Sequence, residues 1–251
     1  MKTLKLVAAL AAALAASAAS AADLTVLASN GVKAALEELK PAFEKATGDK
    51  LTIQFGLAAV LKREIEGGAG FDAAVLTAAN IEDLGRQGKV DPETRVPVAR
   101  SGTGFMVKAG APRPNLSSAD AVKQAVLSAK SLTWAKEGQS GVIFMNAMQK
   151  LGIADQVKGK ASLAADGDVA VHKVAHGEAA LGVLLVNEIL AHKDAGVDLA
   201  GPLPADLQSY LAFHGAVSSS SRNVGSAKVF VESLIKPDAR AVFKAKGQEP
   251  G

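Results

Sequence analysis

Apolar and polar positions recur along this chain with a period that changes, and each change marks an element. Leu24-Thr25-Val26-Leu27 is a short apolar run with β-branched members, and Ser29-Asn30-Gly31 interrupts it with small residues of the turn and cap type. From Val32 the apolar positions Val32, Ala35, Leu36, Leu39 and Phe43 return at helical spacing. Lys33, Glu37, Glu38 and Lys40 take the opposite face, which predicts an amphipathic helix. Leu51, Ile53 and Phe55 alternate with Thr52 and Gln54, the period of a half-buried strand. Gly56-Leu57-Ala58-Ala59 leads from it into a short helix carrying Val60, Leu61 and Ile65 and ended by Gly67-Gly68. Phe71 to Leu76 reads as a strand buried on both faces. Thr77-Ala78-Ala79-Asn80 then opens a helix with Ile81 and Leu84. The order strand, small polar loop, helix thus occurs three times. It predicts a parallel sheet covered by helices, with ligands at the carboxyl ends of the strands.

Arg95 to Lys108 changes character. Val96-Pro97-Val98 is extended, Arg100-Ser101-Gly102-Thr103 is polar, and Gly104-Phe105-Met106-Val107 is again a strand. Gly110-Ala111-Pro112-Arg113-Pro114 follows, so this region is expected to cross into a second lobe. There the alternation resumes: a helix from Ser117 to Leu127, a strand Ser131 to Trp134, the turn Glu137-Gly138-Gln139-Ser140-Gly141, and a helix through Val142, Ile143, Met145 and Met148. A linker helix around Ile153 to Val157, a helix Val169 to His176 and the apolar strand Leu181 to Val186 come next. After the stiff turn Gly201-Pro202-Leu203-Pro204, Tyr210 to Val217 suits a strand returning to the first lobe. Helices Ser226 to Ile235 and Pro237 to Lys246 close the chain, the latter with Pro in its first turn. The expected architecture is α/β and two-lobed, each lobe a mostly parallel sheet flanked by helices and joined by two crossover strands. Residues 23–100 and 214–251 form the first lobe and 101–213 the second.

The N-terminus changes the reading of charge. Lys2 and Lys5 form a positive start, Leu6 to Ala16 is apolar but short of the ~20 residues a span needs, and Ala19 to Ala22 supplies small residues for cleavage. Residues 1–22 are expected to be a signal peptide and the protein to work in a bacterial periplasm. The formal charge of +3 then falls by the two lysines to +1. A nearly neutral chain with 4% aromatic residues has neither the basic stripe nor the stacking platforms of a nucleic-acid binder. With no Cys, an exported protein has no disulfide, no thiolate chemistry and no Cys-based metal site.

The loops after the strands carry the candidate chemistry. A loop that opens a helix points free backbone N–H groups at whatever lies above the strand, and this is an arrangement for binding anions. Ser29, Asn30 and Gly31 supply it in the first loop, Ala58 lies in the second, Thr77 in the third, and Ser140 and Gly141 in the second lobe. Arg100 and Ser101 stand at the crossing. Ser29 and Asn30 alone would also suit plain helix caps; the recurrence of the pattern is what points to a ligand.

The exported strand-loop-helix from Leu24 to Phe43, the passage from Gly67-Gly68 to Val75, and Ala99-Arg100-Ser101 belong to one ordered set of motifs. Ser140-Gly141-Val142, the turn and strand from Gly177 to Gly182, and the closing Ile235-Lys236-Pro237 to Pro250 complete it. In order and spacing these motifs resemble the molybdate-binding type of periplasmic solute-binding protein over essentially the whole exported chain. The resemblance implies a monomer with the two-lobed type II fold. It also implies a small anionic ligand held by hydroxyls and backbone N–H groups at facing helix N-termini, closure about a hinge, and an ABC permease as partner. No cofactor is implied. Molybdate binders also carry a hydroxyl in the second loop and an aromatic hydroxyl before the second crossover. Here the second loop is Gly56-Leu57-Ala58-Ala59 and the aromatic position corresponds to Leu185, so Leu57, Ala58 and Leu185 suit a ligand with carbon as well as carboxylate oxygens, with Arg100 as a carboxylate clamp. A related branch contains a periplasmic aconitate isomerase, which implies an alternative: interconversion of cis- and trans-aconitate, with Glu137 the base that the sequence offers. A sensory or scaffold protein that binds ligand for a receptor is the third class.

Other residues carry less. His172 and His176, four apart, would share a helix face and could form half a metal site, but Val171, Val174 and Ala175 already make a core face there. Ser218 to Ser221 lacks a G-x-S-x-G frame and is expected to be a surface loop. No phosphate-binding glycine motif is present. Trp134 is expected in the core, close in sequence to the cleft.

Overall fold

The computed structural model describes residues 21–251. The expected signal peptide therefore lies almost entirely outside the described residues. The first part of the chain runs β1 (Asp23–Ser29), α1 (Lys33–Thr47), β2 (Lys50–Gly56), α2 (Ala58–Glu66), β3 (Ala73–Thr77), α3 (Ala78–Arg86) and β4 (Val96–Ser101). The middle part runs β5 (Thr103–Lys108), α4 (Ala119–Ser128), β6 (Leu132–Thr133), α5 (Gln139–Lys150), α6 (Ala154–Lys158), α7 (Gly167–Ala175), β7 (Leu181–Leu185), α8 (Val186–Ala191) and β8 (Val197–Pro202). β9 (Leu211–Val217), α9 (Val224–Ser233), α10 (Pro237–Ala245) and β10 (Glu249–Pro250) finish it.

These elements make two lobes. One sheet has the order β10-β4-β9-β3-β1-β2 and the other β6-β7-β5-β8. β1 pairs in parallel with β2 and β3, and β6 with β7, as strand-helix-strand alternation requires. The crossing strands run antiparallel: β4 and β3 to β9, and β5 to β7 and β8. Both sheets are therefore mixed, with parallel pairing confined to the strands joined by helices. The chain passes between sheets at Gly102 and again between Pro202 and Leu211. Because Leu211 already pairs with Ser101, the return to the first sheet precedes residue 214.

The apolar runs explain the layers. Along β1, Leu24, Val26 and Ala28 pack on α1, α9 and α10, while Leu27 faces the opposite core with Leu61, Ile65, Leu76 and Ile81. A strand buried on both faces reads as a continuous hydrophobic run, as this one does. In the second lobe Phe105, Val107, Trp134 and Phe144 fill one side of the sheet and Met106, Val171, Val174 and Leu184 the other. Trp134 lies edge-on to Phe144 at 5.3 Å between centroids.

Side chains fix the crossings and the loops beside them. Gln208 accepts from the Thr103 N–H and donates to the Thr103 carbonyl, both at 2.9 Å, bracing the two connections against each other. The Ser218 to Ser221 segment is not a plain surface loop: Ser218 is buried, and Ser221 Oγ donates to Asp72 Oδ1 at 2.6 Å. Asp72 Oδ2 in turn accepts from the Thr25 N–H at 2.9 Å, so these serines tie the first sheet together at the end away from the loops after β1 and β3.

Candidate functional site

The carboxyl ends of β1 and β3, the start of β2's following helix, and the loops after β6 and β7 meet in one cleft. Its wall from the first lobe is Ser29, Asn30, Gly31, Leu57, Ala58 and Thr77. Facing them from the second lobe stand Ala135, Glu137, Gly138, Gln139, Ser140 and Glu188, with Leu184 and Leu185 beneath.

Each polar wall residue is placed by the local chemistry of a helix start. Ser29 precedes the turn Asn30–Val32 and its Oγ accepts from the Gly31 N–H at 3.3 Å. Thr77 caps α3, its Oγ1 accepting from the Asn80 N–H at 3.3 Å. Both bonds are long, and each hydroxyl keeps its proton to donate to a ligand. α2 and α5 begin without a side-chain cap, at Leu57 and Gly138, so their first N–H groups lack a side-chain partner at the cleft. Their first turns carry no acid. Two helix dipoles thus point their positive ends into the cavity with nothing on those turns to neutralise them.

Gly31 is held with unusual care. Its carbonyl accepts from Asn187 Nδ2 at 2.8 Å and Gln248 Nε2 at 3.2 Å, both buried. A Cβ at Gly31 would stand 2.4 Å from Phe213 Cζ, so only glycine lets β9 approach this loop. The Asn187 bond crosses from the second lobe to the first, and a second crossing is the Arg63–Glu137 ion pair at 2.7 Å.

Of the residues singled out from sequence, Ser29, Asn30, Gly31, Ala58, Thr77 and Ser140 are brought together. Gly141 sits one residue behind, where α5 packs so closely on Trp134 that a Cβ would lie 2.3 Å from its ring. Ser101 is buried in β4 with its hydroxyl toward the Gly102 carbonyl, away from the cavity. Arg100 is no carboxylate clamp: the alternation of β4 turns it outward, where it pairs with Glu249 and lies over the Tyr210 ring at 5.0 Å. Glu137 does line the cavity, but Arg63 holds its carboxylate. His172 and His176 stack ring on ring at 3.9 Å on the exposed face of α7.

The residue that sequence reasoning missed is Glu188. It is the third residue of α8, and its Oε2 accepts from the Leu185 N–H at 3.3 Å. Burial pushes its carboxyl up to about 7; the Leu185 bond and nearby His192 pull the other way, and Asp168 adds to the rise. Its signal was a fifth strand-to-helix turn, Leu185-Val186-Asn187-Glu188, hidden because the apolar run continues across the start of α8.

A two-lobed fold whose facing helix starts converge on one cleft defines the class of the periplasmic binding proteins. This chain belongs to the bacterial extracellular solute-binding protein family, matched over residues 24–249. Among its relatives, an aconitate isomerase from Pseudomonas sp. is 29% identical over 90% of this chain and 87% of its own length. The molybdate-binding protein ModA of Escherichia coli is 26% identical over 89% of this chain and 88% of its own. The solved periplasmic molybdate-binding protein of Azotobacter vinelandii superposes with a TM-score of 0.77, covering 91% of this chain and all of that one, at 21% identity.

Proposed function

We propose that this protein captures a small carboxylate anion in the periplasm, between its two lobes, and presents it to an ABC importer. One observation carries the reading. Hydroxyls and uncapped helix starts from both lobes converge on a single cavity that Leu57, Leu184, Leu185 and Leu211 also line, its two acids being Glu137, held by Arg63, and Glu188, whose carboxyl burial pushes up to about 7. The donors suit a negative group and the leucines suit carbon. Among the relatives, the molybdate-binding proteins favour the transport role.

A second reading is favoured by Glu188 in the same cavity and by the aconitate isomerase relative: the protein turns over the carboxylate it binds. An acid of raised pKa is matched to moving a proton near neutral pH, and in its protonated form it can also donate a hydrogen bond to the anion.

A thermal-shift screen against molybdate, tungstate, sulfate, phosphate, citrate, cis-aconitate and trans-aconitate tests the proposal. A ligand at a hundred times its dissociation constant adds about 2.7 kcal/mol. Stabilisation by the tricarboxylates is expected. Stabilisation by molybdate and tungstate alone would overturn the carboxylate assignment.

A further inference from the structure

Glu188 stands between two cavities. One is the cleft lined by Ser29, Thr77 and Ser140; the other, of about 230 Å³, adjoins it and is lined by Lys33, Glu37, Asp168 and His192. The remaining acid of the cleft, Glu137, is neutralised by Arg63. Among the described residues, the Glu188 carboxyl meets one N–H, that of Leu185, and no cation within ion-pair distance. His192 lies beside it yet bonds the Glu188 backbone carbonyl at 2.7 Å and Asp168 Oδ1 at 2.9 Å, so it anchors the turn of helix without engaging the carboxyl.

We propose that Glu188 is the catalytic residue of the cleft, taking a proton from a bound unsaturated carboxylate and returning it to another carbon of the same molecule. The inference rests on the isomerase reading and names its missing group. The substrate class is a carboxylate with a methylene between a C=C bond and a second carboxylate, because only such a C–H is acidic enough for a carboxylate base. Glu188 Oε takes the methylene proton. The C–H electron pair spreads over the allylic carbons and the attached carboxylates, whose growing charge meets the hydroxyls of Ser29, Thr77 and Ser140 and the first N–H groups of α2 and α5. The protonated carboxyl then delivers its proton to the far allylic carbon and the double bond shifts by one position. One C–H bond breaks and one forms; no atom, electron or co-reactant is gained or lost. A carboxyl that titrates near neutral pH is matched to both halves of this transfer. The adjoining cavity lets the proton exchange with water between them.

The experiment follows cis-aconitate with the protein in deuterated water by proton NMR, for wild type, Glu188→Gln and Glu188→Asp, with binding measured by calorimetry. Wild type is expected to form trans-aconitate and to incorporate deuterium at the allylic carbons. Glu188→Gln should still bind and lose both signals by about 10²–10⁴-fold, and Glu188→Asp should keep a reduced rate. Turnover in Glu188→Gln within tenfold of wild type overturns the assignment while leaving the isomerase reading intact. Wild type that binds cis-aconitate with neither product nor exchange overturns the isomerase reading and Glu188's role with it. Loss of binding in both variants would assign Glu188 to holding the loop.

Discussion

The two walls of the cleft are built from the same kind of element, a strand ending in a helix start, yet they carry different chemistry. The first-lobe wall offers donors and apolar surface but no acid: Ser29, Thr77 and the uncapped start of α2, with Leu57 and Ala58 beside them. The second-lobe wall offers Ser140 and the start of α5, and sets Glu188 among them. One wall attracts negative charge. The other brings an acid up to it, where burial and the approach of an anion both favour the protonated form. Protonated, that acid can donate a hydrogen bond to a bound anion, and under the isomerase reading it is also the group that moves the proton, so this contrast between walls is where holding and turnover can be told apart.

The contrast can be broken most severely at the first wall. Gly31→Ala drives a methyl into Phe213 and is expected to cost about 3 kcal/mol of stability, read from urea unfolding, and to abolish ligand binding. Ser29→Ala and Ser140→Ala each remove one donor to a charged ligand, and each should weaken binding by about 2 kcal/mol in calorimetry. Equal losses from the two would show that both walls hold the anion. Glu188→Gln sharpens the difference between walls through pH. Between the carboxyl's ordinary value near 4.5 and its folded value of about 7, the folded state holds a proton that the unfolded chain has released. Wild-type stability should therefore fall as pH rises through that window, by about 3 kcal/mol, and Glu188→Gln should lose this slope. Asp168, His192, Lys33, Glu37 and Glu137 border the same cavities and are unchanged by the substitution. The smallest effect is expected at the rim. Arg63 and Glu137 are 58% and 47% exposed, so Arg63→Ala should change affinity by less than about 1 kcal/mol, and less still in high salt.

The legibility of the site follows the same division. In the first lobe every wall residue sits directly after an apolar strand and directly before an amphipathic helix, so Ser29, Asn30, Gly31, Ala58 and Thr77 could be found from local pattern. Ser140 was found the same way, from the turn before α5. Arg100 misled because its neighbours are polar and it stands at a crossing; only the pleat of β4 and the pairing with β10 decide that it points out. Glu188 was hidden because β7 and α8 share one unbroken apolar run, with no small-residue loop to mark the change of period. The mixed sheets were also beyond local pattern, since strand direction depends on which strands cross between lobes. The buried Ser218 owes its place to a bridge with Val90 and to the Asp72 carbonyl, 128 and 146 residues away in sequence, contacts that no window reveals.

The most direct measurement of the central claim is a crystal structure of the protein with trans-aconitate bound. A carboxylate within hydrogen-bond distance of both Ser29 Oγ and Ser140 Oγ is expected, with the carbon chain against Leu57, Leu184 and Leu185 and the Glu188 carboxyl facing a carbon. An anion seated instead in the adjoining cavity beside Lys33 and His192, or at the surface on Arg100, would contradict the account.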